Sequence, residues 1–477
     1  MKKRKKKNQY TNTLVFVCVV LVWALVLGIV FLADHLKDRA PDDTDKDKQS
    51  ESVSDSASDS TSDTDELSSD TDENTDDTSE TDSTHTSVIE PDPVTYTEAT
   101  ILSAGDIIVH LSQLYYAEAV NKTTPDFTNT FKYIDDLVSA ADYAVVNFET
   151  TCSGAELGYS GYPSFNAPDS VLSAIKDAGF DMTLFANNHC YDKNLAGLLR
   201  TQQMFGEYGL DYIGAKTEPG QDAYTVIEVN GIKIGMLNYA DDLSGGITET
   251  RYINGKTIKG DDLDYMNLYN LSLLDELYDE VETIMADMEA DGVDLVIAYM
   301  HWGYEYNVVH NRYQEKVAQE LTNLGVDVII GGHPHVIQDA DTLTSETDPD
   351  HKTLCFYSLG NLVSNQNRRT MGDTKNSTYT EGGLMVELTV RKYSTGEVMV
   401  SEVEQIPTFV HRHKASNGYY AHEIVPLEAA LADPAAYGLT ESSFGKGDAQ
   451  EVYDLEIEVL GDAVEAYNAS VVLPVIE

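Results

Sequence analysis

Six short apolar runs in this chain each end in residues able to hold a metal ion or move a proton, and that recurrence constrains the fold more than any bulk property. Residues 99–104 lead into Gly105 and Asp106, residues 143–146 into Asn147, Phe148 and Glu149, and residues 181–186 into Asn187, Asn188 and His189. Residues 295–300 lead into His301, Trp302, Gly303, Tyr304 and Glu305, and residues 326–330 into Gly331, Gly332, His333, Pro334 and His335. A sixth run, 354–357, leads into Ser358, Leu359, Gly360 and Asn361. Runs of this length between amphipathic stretches read as strands of an α/β fold. In open α/β sheets the ligand crevice lies beyond the carboxyl ends of the strands. Six polar termini are therefore expected to converge on one place.

The chain has twelve histidines, and four of them (His189, His301, His333 and His335) stand at these few strand ends. Imidazole, carboxylate and amide oxygen together suit a divalent ion such as Zn²⁺, Mn²⁺ or Fe²⁺. Its four cysteines form no CxxC pair, so a metal would be held by His, Asp, Glu and Asn. Each piece also has a plain reading: Gly105-Asp106 as a turn, and His189 as the cap of a helix starting near Asp192. His333-Pro334-His335 is harder to read that way, because proline stiffens the backbone between two imidazoles at a strand-to-loop switch. Histidines packed together without a metal would leave ring nitrogens unsatisfied.

The amino-terminal residues belong to a different regime. The first ten carry six positive charges and no negative one, and 14–33 is an uncharged apolar run of twenty residues. At about 1.5 Å per residue it spans the hydrocarbon core as a helix, with no small-x-small cleavage signature after it. It is expected to be an uncleaved signal anchor, a cleaved signal peptide being the alternative. By the positive-inside bias the tail 1–13 is cytoplasmic and the carboxyl-terminal part extracellular, so the cell membrane is the first expected partner. Residues 34–94 form an acidic Ser/Thr/Asp linker; its 41–92 part holds nineteen acids against two lysines, too polar to order itself. Taking +6 for the tail and −17 for 41–92 out of the total of −50 leaves −39 on residues 93–477. Such a field excludes a nucleic-acid partner and opposes anionic esters and polyanions alike.

The order of GD (105–106), NFET (147–150), ANNHCYD (186–192), HWGYEY (301–306), GGHPH (331–335) and YSLGN (357–361) resembles the CapA-type poly-gamma-glutamate capsule biosynthesis proteins. These are similar to the calcineurin-like metallophosphatases. The resemblance covers roughly 95–410. It implies a four-layer sandwich of two facing β-sheets flanked by helices, spanning 95–425, with 426–477 as an accessory region. It further implies that Asp106 and His335 serve one metal, that Asn188, His301 and His333 serve a second, and that Glu149 bridges them. His189 would be a general acid or a donor to developing negative charge, oriented by Asp192.

There are departures from the wider superfamily pattern. Asp-x-His is replaced by Asp106-Ile107-Ile108, with His110 belonging to the next element, and the bridging carboxylate is Glu rather than Asp. The site is thus expected to hold one or two ions, either as a metal-dependent phosphoesterase or as a non-catalytic, metal-dependent polymer-binding or assembly factor. The resemblance favours a part in envelope polymer synthesis or export, with an envelope polymer or phosphate-containing substrate and a membrane synthase complex as partners. Elsewhere, Cys190 is expected to be a small buried residue, His411-Arg412-His413 a surface cluster, and Ser244-Gly245-Gly246 a loop. Residues 261–290 read as a covering helix, and 451–469 as one helix-like stretch.

Overall fold

The computed structural model describes residues 94–244, 250–372, 374–440 and 445–474. The expected anchor and nearly all of the expected linker lie outside these residues. Among the described residues no helix is long and apolar enough to cross a membrane. In chain order the strands are β1 (Tyr96–Ile107), β2 (Tyr143–Phe148), β3 (Met182–Leu184), β4 (Asp211–Ile213), β5 (Tyr224–Val229) and β6 (Ile232–Asp241). Three two-residue strands follow: β7 (Tyr252–Ile253), β8 (Lys256–Thr257) and β9 (Leu268–Tyr269). Then come β10 (Leu295–His301), β11 (Val328–Gly332), β12 (Ala340–Thr344), β13 (Lys352–Phe356), β14 (Asn361–Val363), β15 (Gly382–Tyr393), β16 (Val398–Lys414) and β17 (Tyr420–Pro426).

These strands form two large sheets. The first runs β17-β16-β15-β1-β2-β3-β4 with β14 also on β1, and the second runs β12-β13-β11-β10-β6-β5 with β9 also on β6. The strands bearing the site pair in parallel (β1 with β2, β2 with β3, β10 with β6 and with β11), while β15, β16, β17, β5 and β12 pair antiparallel at the margins. Parallel pairing puts the carboxyl ends of each sheet's central strands on one edge, and the packing of the two sheets brings those edges together, which is why side chains distant in sequence meet there.

Alternation along each strand builds the layers. Ile101 and Val145 of the first sheet pack against Ile234, Ile297 and Ile330 of the second, forming the middle of the sandwich. Leu102 and Val146 point the other way, onto the helices Ser170–Asp177 and Asn194–Tyr208 through Leu172, Ile175, Leu198 and Phe205. On the far side Ala298, Met300 and Ile329 meet the helices Leu274–Ala290 and Arg312–Asn323. Each fully buried Ile or Leu contributes roughly 2 to 3 kcal/mol over exposure, so the middle layer clamps the two sheets together. A polar pair crosses the same layer, Ser103 Oγ lying 3.0 Å from Tyr299 Oη. Two facing sheets flanked by helices is the architecture expected from the motifs.

Helix Leu274–Ala290 follows the expected periodicity, burying Leu274, Leu277, Val281, Ile284 and Met288 at spacings of three and four. It is shorter than expected from 261–290, because Gly260–Tyr265 makes a separate 3₁₀ segment and Leu268–Tyr269 pairs with β6. Asn267 stops the helical pattern by donating through Nδ2 to Ala223 O and Asn238 O. The stretch 451–469 is likewise two helices, Lys446–Leu460 and Ala463–Ser470, separated at Gly461 with φ of 59°. Leu460 and Val464 from these helices join the middle layer. Helix Arg312–Asn323 starts at Asn311, whose side chain accepts from Tyr313 N and Gln314 N, while Gln314 reaches back to the Asn311 N–H.

Candidate metal centre

Asp106 sits near the end of β1 and Asn147 near the end of β2, and Glu149 follows directly, its N–H donating to Ile107 O at 3.0 Å. His301 is the last residue of β10, and His333 and His335 follow β11. Both latter residues have positive φ, 94° and 57°, with proline between them. For non-glycine residues this is a strained backbone, held here by its surroundings. The glycines before them are required by space: a Cβ on Gly331 would lie 2.0 Å from Tyr357 O, and one on Gly332 would lie 2.9 Å from Asp106 Oδ1. Asn361 Nδ2 donates to His335 O, tying the sixth strand end to this turn.

The loop carrying Asn188 and His189 leaves the first sheet yet is held by the second. Asn238 Oδ1 on β6 accepts from Phe185 N and Ala186 N at 3.1 and 2.8 Å, and Asn187 Nδ2 donates to Asn147 Oδ1 and Phe148 O. His189 does not cap a helix. The next helix begins at Asn194, and Asp192 turns back so that its Oδ2 lies 2.8 Å from His189 Nδ1.

All eight expected residues come together, and all are buried. One group is Asp106, Glu149 and His335; a second is Glu149, His301 and His333, and within each group the candidate ligand atoms lie within 4.8 Å of one another. Glu149 belongs to both, with Oε1 3.7 Å from His301 Nε2 and 3.7 Å from His335 Nε2. Asn188 Oδ1 lies 3.1 Å from His301 Nε2, and Asp106 Oδ2 lies 3.1 Å from His335 Nδ1.

Electrostatics show what the cluster is short of. Burial, followed by the charges of Asp106 and Glu305, pushes the Glu149 carboxyl well above its usual range. Among the described residues neither of its oxygens has a hydrogen-bond partner, nor does His333 Nδ1. Burial and then the neighbouring His335 hold the His333 imidazole down at about 4, while burial and then His333 hold His301 well below its ordinary value. Neutral imidazoles with available lone pairs around an unpartnered carboxylate form a donor set that fits divalent cations. The residues present thus suit one or two such ions.

Several participants were not singled out from sequence. Asn147 Nδ2 donates to Asp106 Oδ1 at 2.7 Å and lies 3.4 Å from His301 Nδ1, linking the two groups; its signal was its place in NFET. Asn254, between β7 and β8, lies 3.0 Å from His189 Nδ1 and donates to Asp192 Oδ1, and no local pattern pointed to it. Phe165 packs edge-on to His189 and donates its N–H to Asp192 Oδ2. His110 opens the helix Leu111–Val120, as expected, yet also reaches the site; burial, then His335 and His189, hold it down at about 3. Ile108, where a further imidazole would stand, supplies no ligand. In front of the cluster is a cavity of about 360 Å³ lined by His110, Phe165, His189, Glu305, Tyr306 and His335, with no Lys or Arg among its described lining residues. Cys190 is fully buried, its thiol pushed up to about 12 by burial. Ser244 is described without regular structure, and 245–249 lie outside the described residues.

A two-sheet α/β sandwich that gathers imidazoles, carboxylates and amides at the ends of its parallel strands defines a class of protein whose strand-end site could hold divalent ions. Residues 100–366 match the family model described as bacterial capsule synthesis protein PGA_cap. The chain belongs to that family, as its motifs implied. It is 29% identical over 273 residues to the capsule biosynthesis protein CapA of Bacillus anthracis, covering 56% of this chain and 60% of that protein. It is 25% identical over 278 residues to the PGA biosynthesis protein CapA of Bacillus subtilis (strain 168), covering 57% and 64%. The alignments thus span less than two thirds of either relative. Among solved structures, the calcineurin-like phosphoesterase YfkN from Bacillus subtilis aligns with a TM-score of 0.37 at 15% identity, covering 76% of this chain and 99% of that one.

Proposed function

We propose that this protein is a membrane-anchored, extracellular participant in the synthesis or export of poly-gamma-glutamate or a related envelope polymer, and that it carries a metal-dependent, phosphatase-like hydrolytic site. The observation that carries the hydrolytic part is Glu149, a fully buried carboxylate, both oxygens unpartnered among the described residues, shared by the His301–His333 pair and the Asp106–His335 pair. Asp106 and His335 would hold one ion, Asn188, His301 and His333 a second, with Glu149 shared. Such ions supply Lewis-acid polarisation and charge neutralisation at a phosphoryl centre. Asn147 orients Asp106, and the Gly331-Gly332 turn lets the backbone N–H of His333 approach Asp106 Oδ2 at 3.3 Å. His189 is held through Nδ1 by Asp192, which leaves Nε2 as the nitrogen to deliver a proton to the leaving oxygen.

The test is hydrolysis of an aryl phosphate by the purified protein with Mn²⁺. Activity that follows metal content and disappears in Asp106→Asn is expected. Full metal loading without turnover would sink the hydrolytic reading. That outcome would instead support a metal-dependent polymer-binding or assembly factor.

A further inference from the structure

A second cluster of metal-ligand type stands on β16 and β17, beyond residue 366 where the family match ends. His411 and His413 are two residues apart on β16 and therefore share one face of the sheet, and Glu423 of β17 is the register partner of His411. The two rings stack with centroids 4.6 Å apart. His411 Nδ1 lies 3.7 Å from Glu423 Oε2, and His413 Nε2 lies 3.1 Å from Oε1. One nitrogen or oxygen from each residue falls within 4.8 Å of the others.

The cluster had been expected at the surface, yet His411 is 4% exposed. The reason is tertiary: β16 runs for 17 residues, and the helical turn Thr128–Phe131 packs on β17. Buried in this way, His411 Nδ1 has no hydrogen-bond partner among the described residues, an expensive condition for a polar atom unless something else takes its lone pair. Burial, then the neighbouring His413, hold the His411 imidazole down at about 4. Glu423 is the opposite case: although burial raises it, contacts with His413, Lys132 and Asn129 bring its carboxyl down to about 2. Lys132 Nζ and Asn129 Nδ2 both address Oε1, at 2.8 and 2.6 Å, so that Oε2 is the oxygen turned towards His411.

We propose that His411, His413 and Glu423 form a second divalent-cation site, separate from the strand-end centre, selective for a borderline ion such as Zn²⁺. Two imidazoles and one carboxylate are a three-ligand zinc set that leaves a fourth position for water. Asn129 acts as the outer partner that orients the carboxylate, a role such sites regularly require. The His413 side chain is 34% exposed, which gives an ion a way in from solvent. The Lys132 side chain, 36% exposed, neutralises Glu423 when no ion is bound and can swing out to water when one arrives.

The experiment is zinc stoichiometry of the full chain after chelator treatment, dialysis against micromolar free Zn²⁺ and elemental analysis. His413→Ala is the informative variant, because its half-exposed side chain can be removed with little loss of packing. It is expected to bind one equivalent less than the unmodified protein while melting at the same temperature in chelator. In a His333→Ala, His335→Ala background, which disables the strand-end centre, about one equivalent is expected to persist and to be lost on adding His413→Ala or Glu423→Gln. Unchanged stoichiometry in His413→Ala overturns the proposal. Retention of the residual equivalent after Glu423→Gln overturns it as well. Because the two centres are counted separately, failure here is distinct from failure of the hydrolytic reading.

Discussion

Glu149→Gln tests the candidate centre without assuming any reaction. The carboxylate is fully buried, its oxygens have no hydrogen-bond partner among the described residues, and burial followed by Asp106 and Glu305 raises its affinity for a proton. A carboxyl with a raised folded-state pKa binds more protons folded than unfolded. Metal-free stability contributed by this group is therefore present at low pH and declines as pH rises from the unfolded-state value towards the folded-state one. Within that window each pH unit lowers stability by about 1.4 kcal/mol. Glutamine is nearly isosteric and does not ionise, so its slope from this position is absent. His301 and His333, whose folded-state values are lowered, contribute in the opposite direction, stability being lost as pH falls below about 6.5. They are present in both proteins and largely cancel in the difference. Denaturant unfolding in chelator should show Glu149→Gln gaining on the unmodified protein by about 1.4 kcal/mol for each unit of the window crossed. Adding Mn²⁺ or Zn²⁺ should reverse the ranking, since an ion at a hundredfold its dissociation constant stabilises the protein that binds it by about 2.7 kcal/mol. If Glu149→Gln is the less stable protein in chelator near neutral pH, the carboxylate is favourably partnered without a metal and the reasoning fails.

Other outcomes follow from the same geometry. His189→Ala should lower turnover by about 10² to 10⁴ while leaving metal content intact; a parallel loss of metal would make it a ligand. Asp192→Asn should cause a smaller loss, because it removes the carboxylate 2.8 Å from His189 Nδ1 and leaves the imidazole in place; turnover unchanged from the unmodified protein would refute the orienting role. His335→Ala and His333→Ala should each lower the metal stoichiometry without abolishing it, as they belong to different groups sharing Glu149; elemental analysis showing no change in either would remove them as ligands. Cys190→Ala should retain activity and cost about 1 kcal/mol, and the native thiol should resist alkylation until the protein is unfolded, since burial pushes it up to about 12.

The strand ends were readable before the fold was known, because an apolar run followed by Gly-Asp, Asn-Asn-His or His-Pro-His carries its meaning within a few residues. The same locality explains what was not readable. Asn254 reaches His189 from 65 positions away, and nothing around it in the chain marks it. His411 of the expected surface cluster proved buried while Arg412 and His413 stay part-exposed; Thr128–Phe131 packs on the neighbouring strand, a contact between segments almost 300 residues apart. The helix expected over 261–290 lost its first turns to pairing of Leu268–Tyr269 with β6, since strand pairing is a property of two segments and not one.

Side-chain types, their order and the strand periods were determined by sequence alone, because they depend on local chemistry and on alternation along a single run. Whether those side chains share a centre was decided by the sandwich. Parallel pairing aligns the ends of β1 and β2 in one sheet and of β10 and β11 in the other, and the packed middle layer brings the two sheets close enough for Glu149 of one to approach His301 and His335 of the other. That convergence depends on distances in space that no stretch of chain encodes by itself, and it turns scattered histidines and carboxylates into one site.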